Sequence, residues 1–251
     1  EPLGAFVAAY VAIEVGHLVA GKTKVDILVT PLISICAGAA IGLFVGPYIT
    51  DFMKWLGGLV NVNVEQSPIF GGIIVSVLMG MILTLPISSA AIGISMGLTG
   101  LAAGAATIGC CCQMVGFAVM SFKENRWGGL VSQGIGTSML QMGNIIKNPR
   151  IWIAPIVTSA ITGPMATCLF KLQMNGTPVS SGMGTCGFVG QIGVYSGWVA
   201  DIANGTKTAI TGFDWAGLIL ISFILPAVIC PLINMLLKKI GWVKDGDMKL
   251  S

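Results

Sequence analysis

The chain has 251 residues, of which 55% are hydrophobic and only 9% charged, with a formal net charge of +3 and a mean hydropathy of +0.89. A soluble domain carries about a quarter charged residues and cannot hide this much apolar surface in one core. Short segments of strictly alternating polarity are missing, which excludes a transmembrane β-barrel, and the small net charge gives no reason to expect nucleic acid. The expected class is an all-α, polytopic helical protein of the lipid bilayer.

Apolar runs long enough, or nearly long enough, to cross a bilayer recur along the chain. Leu3 to Ala20 is the first expected span, followed by the charged turn "GKTKVD", and Ile27 to Ile49 is the second. The chain opens on Glu1 directly in apolar sequence, with no signal-peptide pattern, which reads as the later part of a longer protein. Asp51 to Ser67, "DFMKWLGGLVNVNVEQS", is amphipathic and is expected to lie in the interface. Ile69 to Leu85 and Leu98 to Phe122 are the third and fourth spans, the latter closed by the aqueous "KENR". Ile151 to Leu172 is the fifth and Trp215 to Leu237 the last, before a hydrophilic tail. Lys238, Lys239, Lys244 and Lys249 make that tail the best candidate for the cytoplasmic side, with Lys22 and Lys24 next. Three regions follow from this pass: 1–67 with membrane helices and the interfacial segment, 68–200 as a transport-type core, and 201–251 with the last span and tail.

Within 129–147, Gln133, Thr137, Gln141 and Asn144 recur at helical spacing, opposite Val131, Ile135, Met139, Met142 and Ile146. This predicts an amphipathic helix. A surface helix with a wet face and a helix lining a polar cavity both fit. Its stripe carries neutral amides and a hydroxyl where a surface helix usually carries Lys and Glu.

Two segments interrupt apolar sequence, 83–97 and 180–193. Thr84-Leu85-Pro86-Ile87-Ser88-Ser89 and Thr177-Pro178-Val179-Ser180-Ser181 share Thr, Pro, one β-branched residue and paired serines, and each leads into small residues. A chance match and an internal repeat are both open. A repeat would fit transporters whose two halves each supply a broken hydrophobic segment. Non-helical backbone at membrane depth persists only where protein or a wet cavity satisfies its N–H and C=O groups. Ser and Thr hydroxyls both donate and accept, which suits a neutral polyol. The plainer alternative is that Pro86 only kinks a helix and the glycines only permit packing. "GMGTCG" formally matches a dinucleotide-binding pattern, but no strand precedes it and its surroundings are membrane.

Glu14 and His17, the latter the only histidine, share a helix face within a span. Ionisable groups there suggest function, although both lie near the charged turn and Glu14 can reach towards water. One His and one Glu are too few for a zinc site. The seven cysteines lie in apolar runs without the paired spacing of a disulfide framework. Adjacent Cys110, Cys111 and Cys112 point about 100° apart on a helix and cannot converge on one metal, so packing is the expected role. The sequence offers no Ser/His/Asp set, no phosphate-binding loop and no paired carboxylates. No catalytic residue, metal site or cofactor is therefore expected.

"MGMILTLPISSAAIGISMGLTGLAAGAATIGCCCQMVGFAVMSFKEN", "QGIGTSMLQMGNIIKNPRIWIAP" and "GMGTCGFVGQIG" resemble the membrane-embedded IIC subunits of bacterial sugar phosphotransferase systems, in the branch that includes PfoR-type toxin regulators. The likeness runs from about Glu14 to Gly193. It implies a permease that binds a sugar in the bacterial inner membrane and presents it to a cytoplasmic IIB domain for phosphorylation. It also implies a homodimer with a scaffold and a mobile transport domain, in which 84–95 and 182–193 are re-entrant hairpins. This chain has no IIB phosphocysteine motif and no IIA histidine site, so a phosphoryl donor would come from separate IIA and IIB chains. It also lacks the acidic hairpin motif of glucose-type permeases, and by this resemblance it is expected to start after the N-terminal spans that family members carry.

The first functional expectation is a permease for a small neutral polar solute, a sugar or sugar-like polyol. The candidate contacts are Thr84, Ser88 and Ser89 of one break, Gly182, Gly184, Thr185 and Gln191 of the other, and Glu14, His17, Gln141 and Asn144. A membrane-embedded sensor or regulator that binds solute without moving it is the alternative. An intramembrane enzyme would rest on Glu14 and His17 alone.

Overall fold

The computed structural model describes residues 2–250, which form helices joined by short turns, with no strand among them and one isolated antiparallel bridge between Gly100 and Met174. By packing, the described residues divide into two units, one running to Gly58 with Ile94–Gly97, the other Leu59–Gly93 with the residues from Leu98 onward.

In the first unit, α1 (Pro2–Val19) and α2 (Asp26–Phe44) pack on one another across a turn in which Gly21 takes a positive φ of 75°. Their contact is lined by small residues, so a Cβ on Gly38 would sit 3.1 Å from that of Ala12. The outward faces are apolar, with Ile27, Leu28, Leu43 and Phe44 exposed, as expected of helices whose solvent is lipid. α3 (Gly46–Gln66) is one continuous helix and contains the amphipathic stretch read from the sequence.

The second unit is built around α6 (Gly100–Met120), in which every residue from Ala102 to Ala118 is buried. α4 (Pro68–Thr84), α9 (Ile153–Pro164) and α12 (Leu225–Lys239) surround it. Contact with α4 is close because glycine meets glycine: a Cβ on Gly80 would lie 2.7 Å from the Gly109 carbonyl oxygen. The other elements are α5 (Ser89–Met96), α7 (Phe122–Val131, kinked at Arg126), α8 (Met142–Lys147), α10 (Val189–Ala203) and α11 (Gly212–Ile219).

Among the described residues five segments are long and apolar enough to cross a membrane: Pro2–Val19, Asp26–Phe44, Gly100–Met120, Pro149–Leu169 and Gly212–Lys239. They match five of the six expected spans. The sixth, Pro68–Thr84, is apolar but has only 17 residues, because Pro86 stops it.

Two features differ from expectation. Residues 129–147 are not one helix. α7 passes into a wide π turn, Ser132–Gly136, then Thr137 is extended (φ −160°, ψ 141°), and a 3₁₀ turn, Ser138–Gln141, leads into α8. The tail is also less solvated than its composition suggests. Val243 and Met248 are buried in a core with Phe117, Met120, Ile145, Ile151 and Cys230.

Candidate functional site

The first interruption follows from proline chemistry. Pro86 has no N–H and disfavours helical geometry at the residue before it. Leu85 is accordingly extended (φ −69°, ψ 155°), and α4 ends at Thr84. A tight turn, in which the Ile87 N–H donates to the Leu85 carbonyl at 2.7 Å, leads into α5. There Ser88 Oγ accepts from the Ala91 N–H at 3.2 Å.

The second interruption has the same opening. Thr177 is extended and Pro178 begins a 3₁₀ turn, Pro178–Gly182. Gly184 then takes φ +53°, and a Cβ there would lie 2.7 Å from that of Cys110, so the chain lies directly on α6. Gly187 (φ +51°) and Phe188 (φ +58°) turn it into α10. A left-handed phenylalanine is costly backbone that the surrounding structure must hold in place.

The residue 132–141 segment is a third interruption, and side chains tie all three into a closed ring. Ser89 Oγ of the first donates to the Gly182 carbonyl of the second at 2.6 Å. Thr185 Oγ1 of the second donates to the Gly134 carbonyl of the third at 2.6 Å. Thr84 Oγ1 closes the ring on Ser138 Oγ of the third at 2.9 Å. A pocket of about 360 Å³ opens at this junction, within the roughly 300–1,000 Å³ typical of small-molecule sites. Its walls are Pro86, Ile87, Ser88 and Ser89 from the first interruption, Gly136, Thr137 and Met139 from the third, and Met183 and Cys186 from the second. The polar lining is hydroxyl and thiol, and no charged side chain contributes.

Of the candidate contacts, Ser88 and Ser89 line this pocket. Thr84, Gly182 and Thr185 stand behind it as buried ring members. Gly184 fixes the turn on α6, and the Gln191 amide donates to Cys111 Sγ at 3.2 Å. Gln141 and Asn144 do not line the pocket. Gln141 Nε2 donates to Gln133 Oε1 (2.8 Å) and to the Met248 carbonyl (3.0 Å), and Asn144 Nδ2 donates to Gln141 Oε1 (2.8 Å) and the Lys249 carbonyl (3.0 Å). Most of the amide stripe is thus satisfied by the chain itself, and of its four members only Thr137 reaches the pocket. Glu14 and His17 are exposed on α1 in the other unit.

Cys110, Cys111 and Cys112 are fully buried, and they diverge as helix geometry requires. Cys110 Sγ lies 3.5 Å from the Met79 carbonyl oxygen, and Cys112 Sγ lies 3.0 Å from Thr162 Oγ1.

The sequence reading missed Gln113, which is buried behind the ring. Its Oε1 accepts from Trp152 Nε1 at 2.9 Å and from Thr84 Oγ1 at 3.3 Å. The available signal was an amide placed in the middle of an apolar span. Met183 and Cys186 were also missed as lining residues, whereas Thr137 belongs to the stripe that the sequence offered as a cavity lining. A second cavity of about 340 Å³, walled by Val131, Ile135, Phe188 and Phe223 among other apolar residues, has almost no polar surface.

Broken apolar helices that meet at an open, uncharged pocket are the architecture of a helical multi-pass membrane protein. The family described as "Phosphotransferase system, EIIC" matches residues 1–250, and the chain belongs to that family. It is thus a multi-pass membrane transporter of the phosphotransferase permease type, and membership implies association with IIA and IIB components. No curated protein and no solved structure matches the chain.

Proposed function

We propose that the chain is the permease component for a small neutral polyhydroxy solute, a sugar or sugar-like polyol, and that the pocket at the junction of the three interruptions receives it. The observation that carries this reading is the closed ring Ser89–Gly182, Thr185–Gly134 and Thr84–Ser138 behind a pocket whose polar lining is uncharged. Hydroxyls exchange donor and acceptor roles with a polyol, and an anionic solute would find no cation in the lining. Ser88, Ser89 and Thr137 make the contacts. Thr84, Gly182, Gly184, Thr185 and Gln191 hold the walls, and Gln141 and Asn144 act from further behind. The two proline breaks act as re-entrant segments, in a homodimer of the bacterial inner membrane that works with separate IIA and IIB chains.

The test is equilibrium binding of a panel of radiolabelled neutral monosaccharides and hexitols to the purified chain. At least one should bind saturably, and Ser88→Ala or Thr137→Val should each weaken it several-fold, as expected for about 0.5–1.5 kcal/mol per lost hydrogen bond. Retained wild-type affinity in both variants would remove the pocket from consideration. Loss of all binding with Glu14→Gln or His17→Gln would move the site to α1.

A further inference from the structure

The tail beyond α12 is built into the second unit by polar contacts as well as by its buried Val243 and Met248. Glu124 accepts from the Gly246 and Met248 N–H groups, both at 3.0 Å, through its two carboxylate oxygens. Asn125 accepts from the Leu250 N–H (2.8 Å) and donates to the Met248 carbonyl (2.8 Å). That same carbonyl receives Gln141 Nε2, which also reaches Gln133 Oε1, and Gln133 Nε2 continues to Ser121 Oγ at 2.9 Å. Gln133 and Gln141 bracket the segment that supplies Gly136, Thr137 and Met139 to the pocket.

We infer that residues 243–250 form a strap that positions the third wall of the pocket, with Glu124 and Gln141 as its positioning residues. The amide pair explains why a strap is needed. On a straight helix residues eight apart are separated by about 12 Å along the axis, so their 2.8 Å bond depends on the π turn and the extended Thr137. That wall has lost regular helical bonding at its centre and has few local restraints of its own. Ser138 pins it to α4 from one side, and the tail pins it through Gln141 from the other. The inference rests on the pocket being the functional cavity, but its test needs no solute and so can fail separately.

Cys186 lines the pocket and is half-buried, whereas Cys110, Cys111, Cys112 and Cys230 are buried. Replacing the exposed Cys36 and Cys168 with Ser leaves Cys186 as the reporter, read as its rate of modification by a small hydrophilic methanethiosulfonate in the purified full chain. Glu124→Ala should raise that rate about ten-fold, the effect of losing restraint worth one or two hydrogen bonds, while the four buried thiols stay unreactive. Glu124→Gln, which keeps one acceptor oxygen, should fall between. Asn144→Ala cuts only the contacts at the rim of the strap and should raise the rate several-fold even if Glu124→Ala does not fold. An unchanged Cys186 rate in the folded variants overturns the inference. So does a rise in which the buried thiols react equally, because that is general loosening.

Discussion

In the packed core around α6 hydroxyl side chains bond both within helices and between them, whereas at the junction of the three interruptions every link of the ring joins two segments. In the core Ser76 Oγ of α4 reaches the Ser159 carbonyl of α9 at 2.8 Å, while three threonines fold back on their own helices. Thr107 Oγ1 donates to the Ala103 carbonyl, Thr158 to that of Ala154, and Thr162 to that of Thr158, each four residues earlier at 2.8–3.0 Å. At the junction Ser89, Thr185 and Thr84 reach from one segment to another. The lesson is that a threonine inside a continuous helix can fill its own turn, because the backbone there is already paired. Where the helix is broken, a hydroxyl becomes the link that keeps the break in place.

The largest expected effect tests how tightly the junction is built against the core. Gly184→Val puts a branched side chain at φ +53°, with Cys110 already 2.7 Å from the first added atom. Strain and overpacking together should cost about 3 kcal/mol or more, seen as a large fall in thermal midpoint in detergent. Gly136→Ala, at a glycine with open space around it, should change that midpoint little. Equal effects would mean that the Gly184 turn is not held on α6.

Gln113→Ala comes next, because Gln113 is where core and junction meet. The change strands the Trp152 indole N–H and removes a fully buried side chain. A loss of about 2–3 kcal/mol is expected from the same thermal scan, and a neutral result would separate the amide from the junction's support.

Single ring members should matter less. Ser89→Ala removes one link and should cost about 1 kcal/mol. Thr107→Val, which keeps the buried volume and loses only a bond within its own helix and a 3.3 Å contact to the Met174 sulfur, should cost less than Ser89→Ala in the same assay. The reverse order would erase the distinction between the two regions.

The smallest effect lies outside both, at the exposed Asp245 of the tail. Asp245 is held below the usual carboxylate range of 3.8 by its hydrogen bond to Lys238 and by the charge of that same residue. A lowered folded value means the pair stabilises at neutral pH and that this contribution fades as pH falls below 3.8. Wild type and Asp245→Asn should therefore melt slightly apart at pH 7 and together in acid, with the gap at pH 7 shrinking in high salt because the pair is solvent-exposed.

Legibility of the sequence followed the range of the forces involved. Spans were readable because hydropathy is additive along a helix. The break at Pro86 was readable because proline acts on its own neighbours, and that at Thr177–Pro178 for the same reason. The interruption at Ser132–Gln141 was hidden, since its polar residues keep helical spacing in the sequence while the backbone passes through a π turn, an extended Thr137 and a 3₁₀ turn. Its cause lies far away in sequence, in the Met248 carbonyl and the Gly134–Thr185 contact. Burial of Val243 and Met248 was equally hidden, because charged neighbours dominate the local composition of the tail. Of the candidate contacts, Ser88 and Ser89, which line the pocket, were singled out through the break itself. Thr137 stood in the right stripe for a different reason, and Gln113 was passed over as one polar residue among cysteines.

The measurement that reaches the central claim most directly is the modification rate of native Cys186, in membranes, with and without a solute that binds the purified chain saturably. If the junction of the three interruptions is the solute site, saturating solute slows the reaction at Cys186, and the concentration for half-protection equals the dissociation constant. A solute that binds saturably yet leaves the Cys186 rate unchanged would contradict the account.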